Sequence, residues 1–138
     1  MITGVLATWD ALLAAVGADA ARRAIEVAGG LKLPRGHREG IAASSRESLR
    51  RLREVLGDDD AIRVVTAARA TGAGVLPALK TVESHLRIRT VLRALPPDAP
   101  AKVLAIDAGI AISHAYDILS GANGGNLSVL QRGRSIVQ

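Results

Sequence analysis

Reaction chemistry has few residues to work with in this chain. Its 138 residues include no cysteine and three histidines, His37, His85 and His114. A thiol nucleophile, a thiolate metal site and a disulfide framework are therefore excluded. No His, Asp or Glu pair stands at metal-ligand spacing. Asp58-Asp59-Asp60 reads better as a helix cap than as a magnesium site. Gly121 to Gly125 follows a helix and leads into no second one, so it lacks the setting of a phosphate loop. The chain reads as a non-enzyme, with no catalytic residue, cofactor or metal. What remains is the chemistry of recognition. Ser113, His114 and Tyr116 offer two hydroxyls and an imidazole, groups that donate to and accept from base edges.

Those residues need an element that presents them. Ala101 to Leu119 has the spacing of two helices joined by a tight turn, with Ala105 small at the crossing and Gly109 able to take a positive φ. Leu104, Ile110, Ala115 and Ile118 fall where apolar residues would hold the pair together. The second helix, from about Ala111 to Leu119, would lie in the major groove with its first residues toward the bases. Ser113 as a cap, His114 as a solvated surface residue and Tyr116 packed with its hydroxyl wet are the plain alternatives. Asp117 can accept from cytosine N4 but repels phosphate, so it is read as pointing away or orienting a neighbour. Ala111 stands where a capping Ser or Thr is usual, and Ile112 is apolar where a polar residue is expected.

Cations surround this segment. Lys80, Arg87, Arg89, Arg93 and Lys102 are the candidate phosphate contacts, and the tail adds Arg132 and Arg134. The ordinary reading of the same residues is a solvated helix face whose arginine stems cover apolar surface. That reading is strongest for the mixed-sign stretch Arg46 to Glu54.

Upstream, Thr8 is expected to cap a short helix through Val16, stopped at Gly17, and a second helix runs from Ala18 to Ala28. Gly29-Gly30 ends it, and Leu31-Lys32-Leu33 before Pro34 reads as a short exposed strand. Ser44 and Glu47 form a capping-box pattern ahead of Leu49, Leu52, Val55 and Leu56. Asp58-Asp59-Asp60 then opens a helix to Ala70, Val75-Leu76-Pro77 resembles another short extended piece, and a long amphipathic helix follows to Leu95. Val16-Gly17 with Asp19, Ala21, Arg23, Ile25 and Ala28 lines up with Leu56-Gly57, Asp59, Ala61, Arg63, Val65 and Ala68. The match is either generic helix punctuation or a duplicated unit. A duplicated unit predicts that its short strands pair within the chain or with a second subunit.

Composition narrows the partners. Eighteen Lys+Arg against thirteen Asp+Glu give a formal net charge of +5, which suits an acidic partner without choosing between nucleic acid and anionic lipid. No run of about 18 uncharged apolar residues occurs, and no basic flank precedes the short apolar start at Met1 to Trp9. Neither a membrane span nor a signal peptide is expected, and the cytoplasm is the default compartment.

The order of parts resembles the Mor/C family of transcription activators of Mu-like phages. The residues that carry this are Leu52 to Gly57 with Ala61, Gly72 to Pro77, and Ala101 to Leu119, with Leu12 to Arg35 similar to the same helix, Gly-Gly, strand and Pro unit. The resemblance implies an intertwined homodimer whose C-terminal helix-turn-helix binds a promoter, with RNA polymerase as a further partner. The chain departs from it in lacking an aromatic residue in the strand, in Ile112 and in a longer tail. The expected protein is all-α, with one or two short β-strands at most. Residues 1–77 would form a helical dimerisation region, 78–120 a helix-turn-helix that binds double-stranded DNA, and 121–138 a flexible basic tail. The competing expectation is a small helical oligomer that binds another protein and has no nucleic-acid role.

Overall fold

The computed structural model describes residues 2–36 and 38–120. His37 and the tail 121–138, with Gly121, Gly125, Arg132 and Arg134, lie outside the described residues. Seven helices are present among those described: α1 Ile2–Ala28, α2 Arg38–Ala42, α3 Glu47–Leu56, α4 Asp58–Ala70, α5 Leu79–Ala94, α6 Ala101–Ala108 and α7 Ile112–Ser120. The chain forms two compact units. One is Ala7–Val82; the other is Met1–Leu6 with Glu83–Gln138. The boundaries thus fall inside α1 and α5, whereas a boundary after residue 77 was expected.

In Ala7–Val82, glycine sets the breaks. Gly17 interrupts α1 at φ 85 and ψ 170, and Gly57 separates α3 from α4 at φ 84 and ψ 169. Gly30 and Gly72, at the ends of the helices that follow, have φ 84 and 88. Gly17 and Gly57, which the sequence match pairs, therefore share one backbone conformation, which an L-residue with a Cβ avoids. Pro34 and Pro77 are three residues further apart than the matched helix positions, and at the end of α4 Thr71 N–H and Ala73 N–H both donate to Ala68 O, at 3.1 and 3.2 Å.

The two short segments pair with each other inside the chain. Lys32 and Val75 form an isolated antiparallel bridge. Leu33 N donates to Gly74 O at 2.9 Å and Leu76 N to Leu31 O at 3.3 Å. Counted back from Pro34 and Pro77, Lys32 and Val75 hold the same place in their copies, as do Leu33 and Leu76. Each bond thus maps onto the other under the local two-fold of an antiparallel pair, and the two segments are paired within the chain. No strand extends beyond the bridge among the described residues, because a proline ends each segment. The expected short strands are corrected accordingly, and Leu33 is buried rather than exposed.

The copies meet at the backbone. A Cβ on Gly29 would lie 2.9 Å from Pro77 O and 3.1 Å from Ala78 Cα. Leu12, Ile25, Leu49, Leu52, Val64, Val65 and Leu76 are buried in this unit. Ser48 Oγ, also buried, donates to Lys32 O at 2.6 Å and ties α3 to the first short segment.

Two expected caps are corrected. α1 already begins at Ile2, and Thr8 is buried, its Oγ1 2.8 Å from Thr71 Oγ1. Thr71 Oγ1 also donates to Ala68 O at 2.7 Å. Thr8 thus has a tertiary partner in the middle of α1 in place of a capping role. At α3 the N-cap is Arg46, without a side-chain cap bond, and Ser44 Oγ accepts from Arg46 N at 3.2 Å. Glu47 turns instead to Arg50 and Arg51, whose hydrogen bonds hold its carboxyl down at about 2. Guanidinium donors three and four residues on outcompete an exposed amide.

By length and composition alone, Gly4–Ala28 is apolar enough to cross a membrane, at a mean hydropathy of 1.3. It is nevertheless broken at Gly17, and Leu12, Ala21, Ala24, Ile25 and Ala28 are buried.

Candidate nucleic-acid interface

The unit containing α6 and α7 has its own apolar cluster. Leu6, Ile88, Leu92, Ala101, Leu104, Ala105, Ala108, Ala115 and Ile118 form it, with Leu86, Val91, Leu95, Ile110 and Leu119 packed against it. α5 reaches it along the Ile88 and Leu92 face, a spacing of one helical turn.

α6 stops at Gly109, which adopts the left-handed conformation at φ 69 and ψ 38. Ile110 N donates to Ala105 O at 3.0 Å, closing the end of the helix. α7 then leaves at 119° to α6. Ala105 and Ala115 are both buried, so small side chains let the two helices approach, while Leu104 and Ile118 fill the space beside them. The expected apolar and glycine positions take these places.

Burial divides the first turns of α7. Ser113, Tyr116 and Asp117 are exposed together with Ile112, and Tyr116 retains 61% of its surface. Ser113 and Asp117 are one turn apart, as are Ile112 and Tyr116, so the four share one exposed surface of the helix. Asp117 is therefore on the same exposed side of α7 as Ser113 and Tyr116. His114 is half-buried. Burial is the main cause holding His85 on α5 below the ordinary histidine value, with nearby positive charge acting in the same direction. His85 Nδ1 is buried and finds no hydrogen-bond partner among the described residues.

The imidazole of His85 gives this unit a pH dependence with a definite sign. Below about pH 6.5 the unfolded chain takes up a proton there before the folded chain does. The stability held by neutral His85 is present above that pH and is lost as pH falls through the unfolded value towards the lowered folded one. Thermal unfolding followed between pH 7.5 and 5 should show a falling midpoint, and His85→Leu should flatten that fall. An unchanged slope in the variant would assign the titration elsewhere.

The candidate phosphate contacts are not one group. Arg87, Arg93 and Lys102 are exposed in the same unit as α7. Arg89 retains only 7% of its surface. It is corrected out of the phosphate set, because it faces inward from α5 and a phosphate needs an accessible guanidinium. Lys80 is exposed but belongs to Ala7–Val82. The exposure of Ile112 adds an apolar group suited to a thymine methyl. Its place at the helix start, one turn before Tyr116, was the available signal for it.

Among the described residues no group of three or more His, Cys, Asp or Glu could hold a metal ion. In comparison with known proteins, the chain matches no protein-family model, no curated protein and no solved structure.

Proposed function

We propose that the chain is a sequence-specific DNA-binding transcription regulator of phage or prophage type, reading the major groove with the start of α7. The observation that supports this best is the pairing of α6 and α7 at 119° through a left-handed Gly109, with Ser113 and Tyr116 exposed at the start of the second helix. This angle and turn are those of a unit that can set one helix into a groove while the other crosses the backbone. Ser113, Tyr116 and the half-buried His114 supply polar contacts to bases, and Ile112 supplies an apolar one. Arg87, Arg93 and Lys102 neutralise phosphates. On this reading two such chains associate as a homodimer, each with its two short segments already paired within the chain. RNA polymerase is the partner this reading implies beyond DNA.

Fluorescence anisotropy of a labelled random-sequence duplex, titrated at several salt concentrations, tests the reading. Log affinity should fall linearly with log salt, and the combined Arg87→Ala, Arg93→Ala and Lys102→Ala variant should reduce the slope by up to about three phosphate contacts. In selection from a randomised duplex, Ser113→Ala and Tyr116→Ala should relax base preference. Absence of binding at low salt would refute the reading and leave the alternative, a helical module that binds another protein.

A further inference from the structure

The unit Ala7–Val82 carries a concentration of positive charge that sequence order hides. Lys32 sits on the bridge, Arg35 follows Pro34, Arg46 is the N-cap of α3 and Arg69 belongs to the last turn of α4. With Leu33, Gly74 and Val75 they line an open cleft of about 220 Å³ that no carboxylate lines. Three contacts assemble it. The bond from Leu33 N to Gly74 O joins the two copies, Ser48 Oγ on Lys32 O brings the start of α3 alongside, and Arg69 Nη1 donates to Ala73 O at 3.4 Å.

The arginines of α3 provide the contrast. Arg50 pairs with Glu47 and Glu54, Arg51 with Glu47, and Arg53 with Asp58. Among the described residues, Lys32, Arg35, Arg46 and Arg69 pair with no carboxylate. Glu47, the acid next to Arg46 in sequence, is already engaged by Arg50 and Arg51. Like charges gathered in one concave place repel unless an anion comes between them. The guanidinium fork matches a tetrahedral oxyanion through paired N–H donors, and Lys32 adds a point charge.

We infer that this cleft binds a phosphate-type oxyanion, held by Lys32, Arg35, Arg46 and Arg69. The anion has two sources, a free phosphate compound or the phosphodiester backbone of a nucleic acid. The inference does not depend on the role given to α7, since every residue in it belongs to the other unit.

Calorimetric titration of the full chain at low salt tests it, with pyrophosphate in one arm and a random-sequence duplex in the other. The cleft variant combines Arg35→Ala and Arg46→Ala, both exposed positions. The control combines Arg22→Ala and Arg23→Ala, exposed on α1, and removes the same charge from the same unit. Pyrophosphate should bind one to one, with affinity falling about tenfold in the cleft variant and less than about twofold in the control. If pyrophosphate does not bind but duplex affinity falls selectively in the cleft variant, the inference stands with the phosphodiester as the source. If neither ligand binds, or neither distinguishes the cleft variant from the control, the inference is overturned.

Discussion

Gly29→Ala is expected to destabilise the chain by about 3 kcal/mol, the upper part of the range for forcing extra atoms into a filled site. The new methyl would lie 2.5 Å from Ile25 O and 2.9 Å from Pro77 O. Both neighbours are backbone, so neither can swing away as a side chain would. Relief requires the two copies to separate where Gly30 N donates to Leu76 O at 2.7 Å, which loosens the bridge itself. Gly30→Ala makes the comparison informative. Its Cβ would meet nothing within 4 Å, but its φ is +84, so the cost is conformational and about 1 kcal/mol. Urea unfolding followed by far-ultraviolet circular dichroism should rank the two in that order. Equal effects would mean that the backbones do not approach closely at Gly29.

Leu104→Ala is expected to cost about 3 kcal/mol, the usual loss for a fully buried leucine whose cavity cannot collapse. Leu104 has no exposed surface and belongs to the cluster that holds α6 and α7 together. Alanines occupy several neighbouring positions, among them Ala101, Ala105, Ala108 and Ala115, so few side chains there are large enough to fill the void. Where this helix pair opens only with the rest of its unit, amide protection across residues 101–120 should fall by about a hundredfold. Protection within about threefold of the parent chain would show that Leu104 does not hold the pair. Duplex affinity measured on the same variant then reports whether the 119° arrangement matters for binding, separately from the surface residues of α7.

Punctuation was the most legible layer of the sequence. Gly17, Gly57 and Gly109 stop or bend the helices where expected, because a positive φ is a local demand that glycine meets without tertiary help. Pro96-Pro97 likewise follows the end of α5. Side-chain partnership was less legible. Thr8 suits an N-cap by type, yet it lies inside α1 with a residue 63 positions away as a partner. Glu47 had two competing uses, and its arginine neighbours prevailed over the cap. Arg89 reads as surface on composition alone, while on α5 it is buried at the side of the apolar face that carries Ile88 and Leu92. The cationic cleft was not legible at all. Lys32, Arg35, Arg46 and Arg69 become neighbours only through long-range pairing, and local periodicity carries no trace of that.

The in-chain pairing of Lys32 with Val75 frees the two short segments from a rule that binds assemblies of identical chains. Two copies of one polypeptide meeting on a two-fold axis must place like against like, so a lysine at this position would face a lysine, a repulsive neighbour across an antiparallel pair. Here the two sides are separately encoded, and a cation faces an aliphatic side chain across the axis. One side can acquire a charge while the other retains its packing role. Mutation therefore reaches each half once, and the axis that organises the fold need not be an axis of its surface chemistry.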